Sequence, residues 1–278
     1  AIGRVTSIRA PGLARGLLSS LRANIVTATD TVSNAQLDAL ADPLERLMRS
    51  TAFAKLRVLW VPVGTNATTG AMVPIIGANF THISLVSGDY DDAVGITGAA
   101  TLKGINTNFN PTSAGVTATD WGYGAFTNST TANQILAGSA TTTNTFIGFA
   151  SNGGYINNIS VGAAVSVRGF NGVQISGGTL TAWAGGFRQF NPAGGPGTLV
   201  NENIQLLKVA TTYFSTQSVC GFAAWSPGLT DAEAHELDVF FRCANAALYR
   251  PVWQALLTAC GDSNTVGSGS GVTSSNRF

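Results

Sequence analysis

The stretch LRVLWVPVG, residues 56–64, is where the chain changes texture. Before it, apolar residues recur at helical spacing. After it, up to about residue 224, the chain is a series of short β-type runs cut by Gly, Asn, Pro and Ser. FTHISLVSG (80–88), WGYGAFTN (121–128), LTAWAGGFRQF (180–190) and SVCGFAAWS (218–226) are examples. Many short strands with turn residues between them predict an antiparallel sandwich or jelly roll. The absence of alternating strand and helix patterns argues against a parallel sheet.

Upstream, Leu13, Leu17, Leu18, Leu21 and Ile25 predict a first helix. Ser33 followed by Gln36 has the form of a capping box. Leu37, Leu40, Ala41, Leu44, Leu47 and Met48 then repeat with a period near 3.6. Pro43 interrupts this run, but Asp42, Pro43 and Glu45 can start a second helix as cap, first residue and box partner. The expectation is two short helices or one kinked helix. Downstream, Thr230 and Glu233 form another box, and Leu237, Phe240, Phe241, Ala244 and Leu248 line one face of a closing helix at 231–249, stopped by Pro251. The expected organisation is an arm at 1–30, a helical lead-in at 31–55, a sandwich with its closing helix at 56–250, and a Ser/Gly-rich segment at 251–278. The fold class is therefore mainly β, an antiparallel jelly-roll sandwich with N-terminal helices and one C-terminal amphipathic helix.

Composition narrows the function. Only 10% of the 278 residues are charged, 45% are apolar, and 33 are Gly. That suits a β-rich extracellular or virion protein with uncharged polar strand faces. The net charge of +1 creates no field that would select nucleic acid or an anionic membrane. No run of 18 apolar residues suggests membrane insertion. Arg4, Arg9, Arg15 and Arg22 precede the first acid, Asp30; such a stretch reads as an arm packed on a neighbouring subunit or plain structure, with a targeting peptide or an arm for an anionic partner as the alternatives. Three cysteines, Cys220, Cys243 and Cys260, are too few and too odd in number for a disulfide framework, so buried free thiols are expected.

Three candidate sites stand out. SGDYDDAVG (87–95) gathers Asp89, Asp91 and Asp92 in one turn, where hard oxygen ligands could hold Ca2+; a solvated acidic turn is the alternative. Of the segments carrying Trp60, Trp121, Tyr123, Trp183, Phe187 and Phe190, DWGYG (120–124) looks most like a loop. Asp120, Trp121 and Tyr123 are therefore the candidate carbohydrate contacts, since an exposed ring can stack on a sugar, with core packing as the alternative. The third site is Ser263, in ALLTACGDSNTVGSG (255–269).

The order of four stretches resembles the concanavalin A-like (laminin-G-like) jelly-roll domains of tailed-phage structural and tail-associated proteins. They are DPLERLMRSTAFAKLRVLWVPVG (42–64), GITGAATLKGINTNFNP (95–111), NTFIGFAS (144–151) and GFAAWSPGLTDAEAHEL (221–237). The resemblance implies a virion location, assembly with other virion subunits as a homo-oligomer, and binding to host-surface glycan. The segment around Ser263 is similar to the first block of the SGNH (GDSL-type) hydrolases, with Gly261, Asp262, Ser263 and Gly267 matching it. In that family the oxyanion-hole residues and the Asp-x-x-His block follow the serine. Here fifteen residues follow Ser263, and none is His, Asp or Glu. A serine nucleophile needs a base held by a third group. His82, in a strand-like run, reads as a hydrogen-bonded structural residue, and His235, flanked by acids on a helix, as a solvated one. The expectation is a non-enzymatic protein. Its tail is either the start of an SGNH domain or a chance match in a Ser/Gly-rich segment.

Overall fold

The computed structural model describes residues 12–99, 102–128, 135–141, 145–148, 154–156, 159–160, 168–190, 197–211 and 213–248. The expected arm residues Arg4 and Arg9, and the whole segment 251–278 with Ser263, lie outside them. Three helices among the described residues, α1 (Gly12–Thr27), α2 (Asn34–Met48) and α3 (Asp231–Ala247), flank a set of antiparallel sheets. Six strands form the first sheet, in the order β1 (Leu56–Trp60), β18 (Gly221–Trp225), β6 (Asp120–Thr127), β11 (Gly169–Ser176), β12 (Thr179–Ala184) and β13 (Phe187–Phe190). Seven form the second: β10 (Ile159–Ser160), β9 (Gly154–Ile156), β8 (Phe146–Gly148), β7 (Ile135–Ser139), β14 (Ile204–Leu206), β5 (Gly104–Asn106) and β2 (Thr81–Ile83). Two ribbons complete the set. One joins β3 (Tyr90–Asp91), β4 (Gly95–Thr97) and β17 (Ser218–Val219), and the other joins β15 (Lys208–Val209) to β16 (Tyr213–Phe214). This is the expected antiparallel sandwich of jelly-roll class, with the expected helices at both ends of the chain.

Alternation along the strands divides the core in two. On β6, Trp121, Tyr123 and Ala125 face the second sheet and pack with Val173, Ile175, Phe222, Leu136, Ile204 and Leu206. Phe126, on the same strand, faces the helices with Phe170, Trp183, Ala223 and Trp225. The first sheet is therefore buried on both faces, between the second sheet and a helical layer. Composition predicts polar uncharged strand faces; β6, β11 and β18 depart from this because the helices cover what would otherwise be a solvent face.

The helical layer is held by aromatic packing. Phe241 of α3 lies 5.6 Å from the Phe126 ring and 5.8 Å from Phe170, and Phe240 meets Phe241 edge-on at 5.2 Å. Each such burial contributes about 1.5–3 kcal/mol. The sheet makes room for these rings with small residues. Gly124 sits opposite Gly172 on β11 and Ala223 on β18. A Cβ at Gly124 would stand 2.4 Å from Phe170 Cζ, and one at Gly221 would stand 2.5 Å from Phe241 Cδ1.

Two of the three predicted capping boxes are present, Ser33 with Gln36 and Thr230 with Glu233. The second box expected at Asp42–Glu45 does not form, and α2 runs through Pro43 as one helix. Glu45 instead turns to α1, where it accepts from Ala14 N at 3.4 Å, and it pairs with Arg49 at 3.2 Å. A carboxylate is favourable at that position because the first turn of a helix has unpaired N–H groups. The buried stripe of α1 is Ala14, Leu18, Leu21 and Ile25, which leaves Leu13 71% exposed. Cys220 is a buried free thiol, as expected. Cys243 is disulfide-bonded, contrary to the expectation from the odd count, and its partner lies outside the described residues. No helix among the described residues is long and apolar enough to cross a membrane.

Candidate functional site

The structure places Asp120, Trp121 and Tyr123 in packing and hydrogen-bonding roles within the sandwich. Trp121 and Tyr123 are 0% exposed, stacked on each other at 5.7 Å between the two sheets. Neither can offer a face to a sugar. Burial pushes the Tyr123 hydroxyl well above its ordinary pKa, and the OH has no hydrogen-bond partner among the described residues. Asp120 is a pin: Oδ1 accepts from Gly228 N at 2.7 Å and Ser176 Oγ at 3.1 Å. It ties β6 and β11 to the loop that leads into α3. DWGYG resembles a loop because its glycines are frequent, but they alternate with rings. Gly122 and Gly124 clear the opposite face for Trp225 and Phe170.

The acidic turn does not form a metal cage. Asp89 accepts from Lys103 Nζ at 2.6 Å and Val86 N at 2.7 Å. Asp91 accepts from Ala93 N at 2.6 Å. Asp92 accepts from Gln36 Nε2 at 3.2 Å and from the Tyr90 hydroxyl. Three carboxylates serve three separate sets of donors, and among the described residues no three His, Cys, Asp or Glu side chains converge as metal ligands do. The Ca2+ expectation at Asp89, Asp91 and Asp92 therefore has no converging ligand set behind it among the described residues. His82 and His235 are both exposed, on β2 and α3.

Of the three aspartates, Asp92 borders a cleft. The cleft has a volume of about 390 Å3 and lies where the first turn of α2, the loop after β1, the acidic turn and the last residues of α3 meet. Thr31, Ser33, Gln36, Gly64, Thr65 and Asp92 line its polar side, and Val32, Ala35, Ala247 and Leu248 its apolar side. Gln36 fixes the geometry. Its Oε1 accepts from Ser33 N at 3.0 Å, completing the capping box, while Nε2 donates to Gly64 O at 3.0 Å and to Asp92 Oδ1. The same residue that caps the helix therefore also joins the two loops that face each other across the cleft.

Behind the wall stands Asp30, which follows α1. Its Oδ2 accepts from Thr65 N and Asn66 N at 3.1 Å, Thr69 Oγ1 at 3.2 Å and Gly70 N at 2.9 Å. Oδ1 accepts from Thr31 N at 2.7 Å and from the Thr65 hydroxyl. Burial alone would raise this carboxyl; the Thr65 hydroxyl and the N–H groups of Thr31, Thr65 and Gly70 outweigh it and hold the pKa below its ordinary value. The carboxylate is packed so closely that a Cβ at Gly70 would lie 2.3 Å from Oδ2. Gly64, at φ +111°, is the other residue that must lack a side chain here. Asp30 thus builds the loop that carries Gly64 and Thr65. The sequence offers only a faint signal of this, a lone acid after a helix and a Thr/Asn turn closed by glycine, TNATTG (65–70).

A second hollow, of about 510 Å3, separates the end of α2 from the start of α3. Its charged groups are already matched, Arg46 with Glu236 at 3.1 Å and Glu233 with Lys55 at 2.6 Å. The first cleft is the candidate site because its polar groups are mostly uncharged and are held in place from behind.

No family model and no curated protein matches the chain. Solved structures with a partial likeness include domain 4 of AbnA, a GH43 extracellular arabinanase from Geobacillus stearothermophilus, in complex with arabinotriose, at 11% identity and a TM-score of 0.40, covering 66% of this chain and 98% of that one. Trypanosoma rangeli sialidase gives 9% and 0.39 over 68% of this chain and 33% of that one. The botulinum neurotoxin serotype D binding domain gives 9% and 0.40 over 66% and 51%. The chain thus spans about a third of the sialidase and about half of the neurotoxin domain. Backbone overlap this slight does not bear on what the chain binds.

Proposed function

We propose that this chain is a non-enzymatic attachment module, a lectin-like sandwich of a tailed-phage virion that assembles with other virion subunits and holds a neutral surface saccharide in the cleft at the head of α2. The observation that carries the binding reading is the lining of that cleft. Thr31, Ser33, Thr65, Gln36 and Asp92 line its polar side, opposite an apolar side made by Val32, Ala35 and Leu248. A sugar ring presents the complementary set, hydroxyls that both donate and accept around apolar C–H faces. The cleft volume lies in the range of small-molecule sites. The Asp30 and Gln36 networks pre-set the polar groups, so little ordering remains to be done on binding. The virion setting rests on the order of the four jelly-roll stretches in the sequence.

The test is a glycan array probed with the wild-type chain and with Asp92→Ala. Asp92 is exposed but accepts from Gln36 and Tyr90, so its truncation should cost about 1 kcal/mol, and the variant's Tm is measured beside the array. A neutral-glycan signal that falls at least tenfold in the variant supports the cleft. A signal that Asp92→Ala leaves intact rules the cleft out as its source.

A second reading follows from Gly261, Asp262, Ser263 and Gly267. In it the chain is the carbohydrate-binding front part of an SGNH esterase. Turnover of p-nitrophenyl acetate that disappears in Ser263→Ala would favour it over the purely structural role.

A further inference from the structure

We propose that Lys208 is a site of Nε-acylation, the lysine of this chain that first takes an acyl group from an activated donor such as an acyl thioester. The chain has three lysines, Lys55, Lys103 and Lys208, and all three are half-buried, so access alone does not rank them. Their partners do. Lys55 Nζ lies 2.6 Å from Glu233 and donates to Gly228 O at 2.9 Å. Lys103 Nζ lies 2.6 Å from Asp89. Among the described residues no carboxylate pairs with Lys208, whose ammonium stands over the Phe214 ring, 5.5 Å from its centroid.

The fold builds this position. Lys208 opens β15, and Phe214 lies directly opposite it on β16. The lysine stem also runs against Gly104 of β5, where a Cβ would stand 3.2 Å from Lys208 Cβ and 3.8 Å from Cδ. The stem is covered, and its charged end is left to an aromatic face. Burial disfavours the charged form and lowers the Lys208 pKa from its ordinary value. Against this the ring sets only its quadrupole, not a full negative charge.

The free amine is the nucleophile. Once the ammonium has given a proton to water, Nζ attacks the carbonyl carbon of the donor. A C–N bond forms, the bond to the leaving group breaks, the leaving group takes the electron pair, and a second proton goes from nitrogen to water. An amine held in an ion pair must first leave its carboxylate. The amide product is neutral, so the contact with Phe214 loses its cation.

The full chain is treated at neutral pH with a limiting dose of N-succinimidyl acetate, folded and in guanidinium chloride, and acetylation at each lysine is followed by peptide mass spectrometry. In the folded chain Lys208 should react at least about fivefold faster than Lys55 or Lys103. In denaturant the three rates should fall within about twofold, because the unfolded side chains share one environment. Asp89→Asn, which frees Lys103, should raise the Lys103 rate about threefold and leave Lys208 unchanged. A folded Lys208 rate no higher than that of Lys103, a Lys208 lead that survives in denaturant, or a Lys103 rate unmoved by Asp89→Asn would overturn the inference. None of these results touches the saccharide reading, which rests on other residues.

Discussion

Replacing Asp30 by Asn should weaken the fold by about 3 kcal/mol, and the number follows from the donors around it. The carboxylate takes three backbone N–H groups and the Thr69 hydroxyl on Oδ2, and the Thr31 N–H and Thr65 hydroxyl on Oδ1. An amide would place its oxygen on the Oδ2 side, where more donors converge. Its NH2 would then face Thr31 N–H, orphaning one part-buried donor at a cost of about 1 kcal/mol, the low end of the range for a buried one. The bonds kept on the other side would fall from charge-assisted to neutral strength, a loss of about 1 kcal/mol each that does not add fully because the bonds share one acceptor. Urea denaturation should show the midpoint falling by about 1–2 M at constant slope. Because the folded pKa lies below the ordinary 3.8, this stabilisation is complete above about pH 3.8 and is lost as pH falls through the folded value. The Asn variant should therefore lack that part of the acid dependence. A midpoint within about 0.2 M of wild type would mean that Asp30 does not organise the loop, and the account of the cleft wall would fail with it.

Two further perturbations test the frame. Gly124→Ala puts a Cβ 2.4 Å from Phe170 Cζ and 2.8 Å from the Asn171 carbonyl; thermal denaturation should register a loss of about 2–3 kcal/mol, and an unchanged Tm would show that the helical layer is loosely seated. Glu233 titrates at about 2 rather than 4.5, because Lys55, Thr230 N–H and Thr51 outweigh its burial. It therefore stabilises the fold above about pH 4.5 by on the order of 3 kcal/mol, lost as pH falls toward 2, so Glu233→Gln should be less stable at pH 7 and converge on wild type near pH 2.

What could be read from the sequence was local. Ser33 and Gln36, or Thr230 and Glu233, are three residues apart and satisfy each other within one turn, so the pattern points to the caps, although Asp42 and Glu45 at the same spacing lie inside α2 and form none. The period of Leu237, Phe240, Phe241 and Ala244 likewise specifies the buried face of α3. Long-range packing was harder to see. WGYG reads as a loop until Phe170 and Trp225 are known to lie over its glycines. Only then does the alternation of ring and glycine appear as a strand with a large side chain on one face and none on the other. The same holds for the cleft. Gln36 carries its capping signal in the sequence, but its bonds to Gly64 and Asp92 span 28 and 56 residues. The Asp89–Asp92 turn suggested a shared cation because three acids are close in sequence. In the fold Lys103, Ala93 and Gln36 draw them apart, and Asp92 is the one that borders the cleft described above.

The binding claim is tested most directly by locating a bound glycan on the protein. Backbone amide shifts should be followed in isotopically labelled chain titrated with the strongest neutral hit from the array. The account predicts that the perturbed amides cluster at Thr31–Gln36, Gly64–Thr65 and Asp92, with little change along β13 or β16. Perturbations centred instead on the exposed rings of Phe187 or Tyr213, with the cleft amides unmoved, would contradict it.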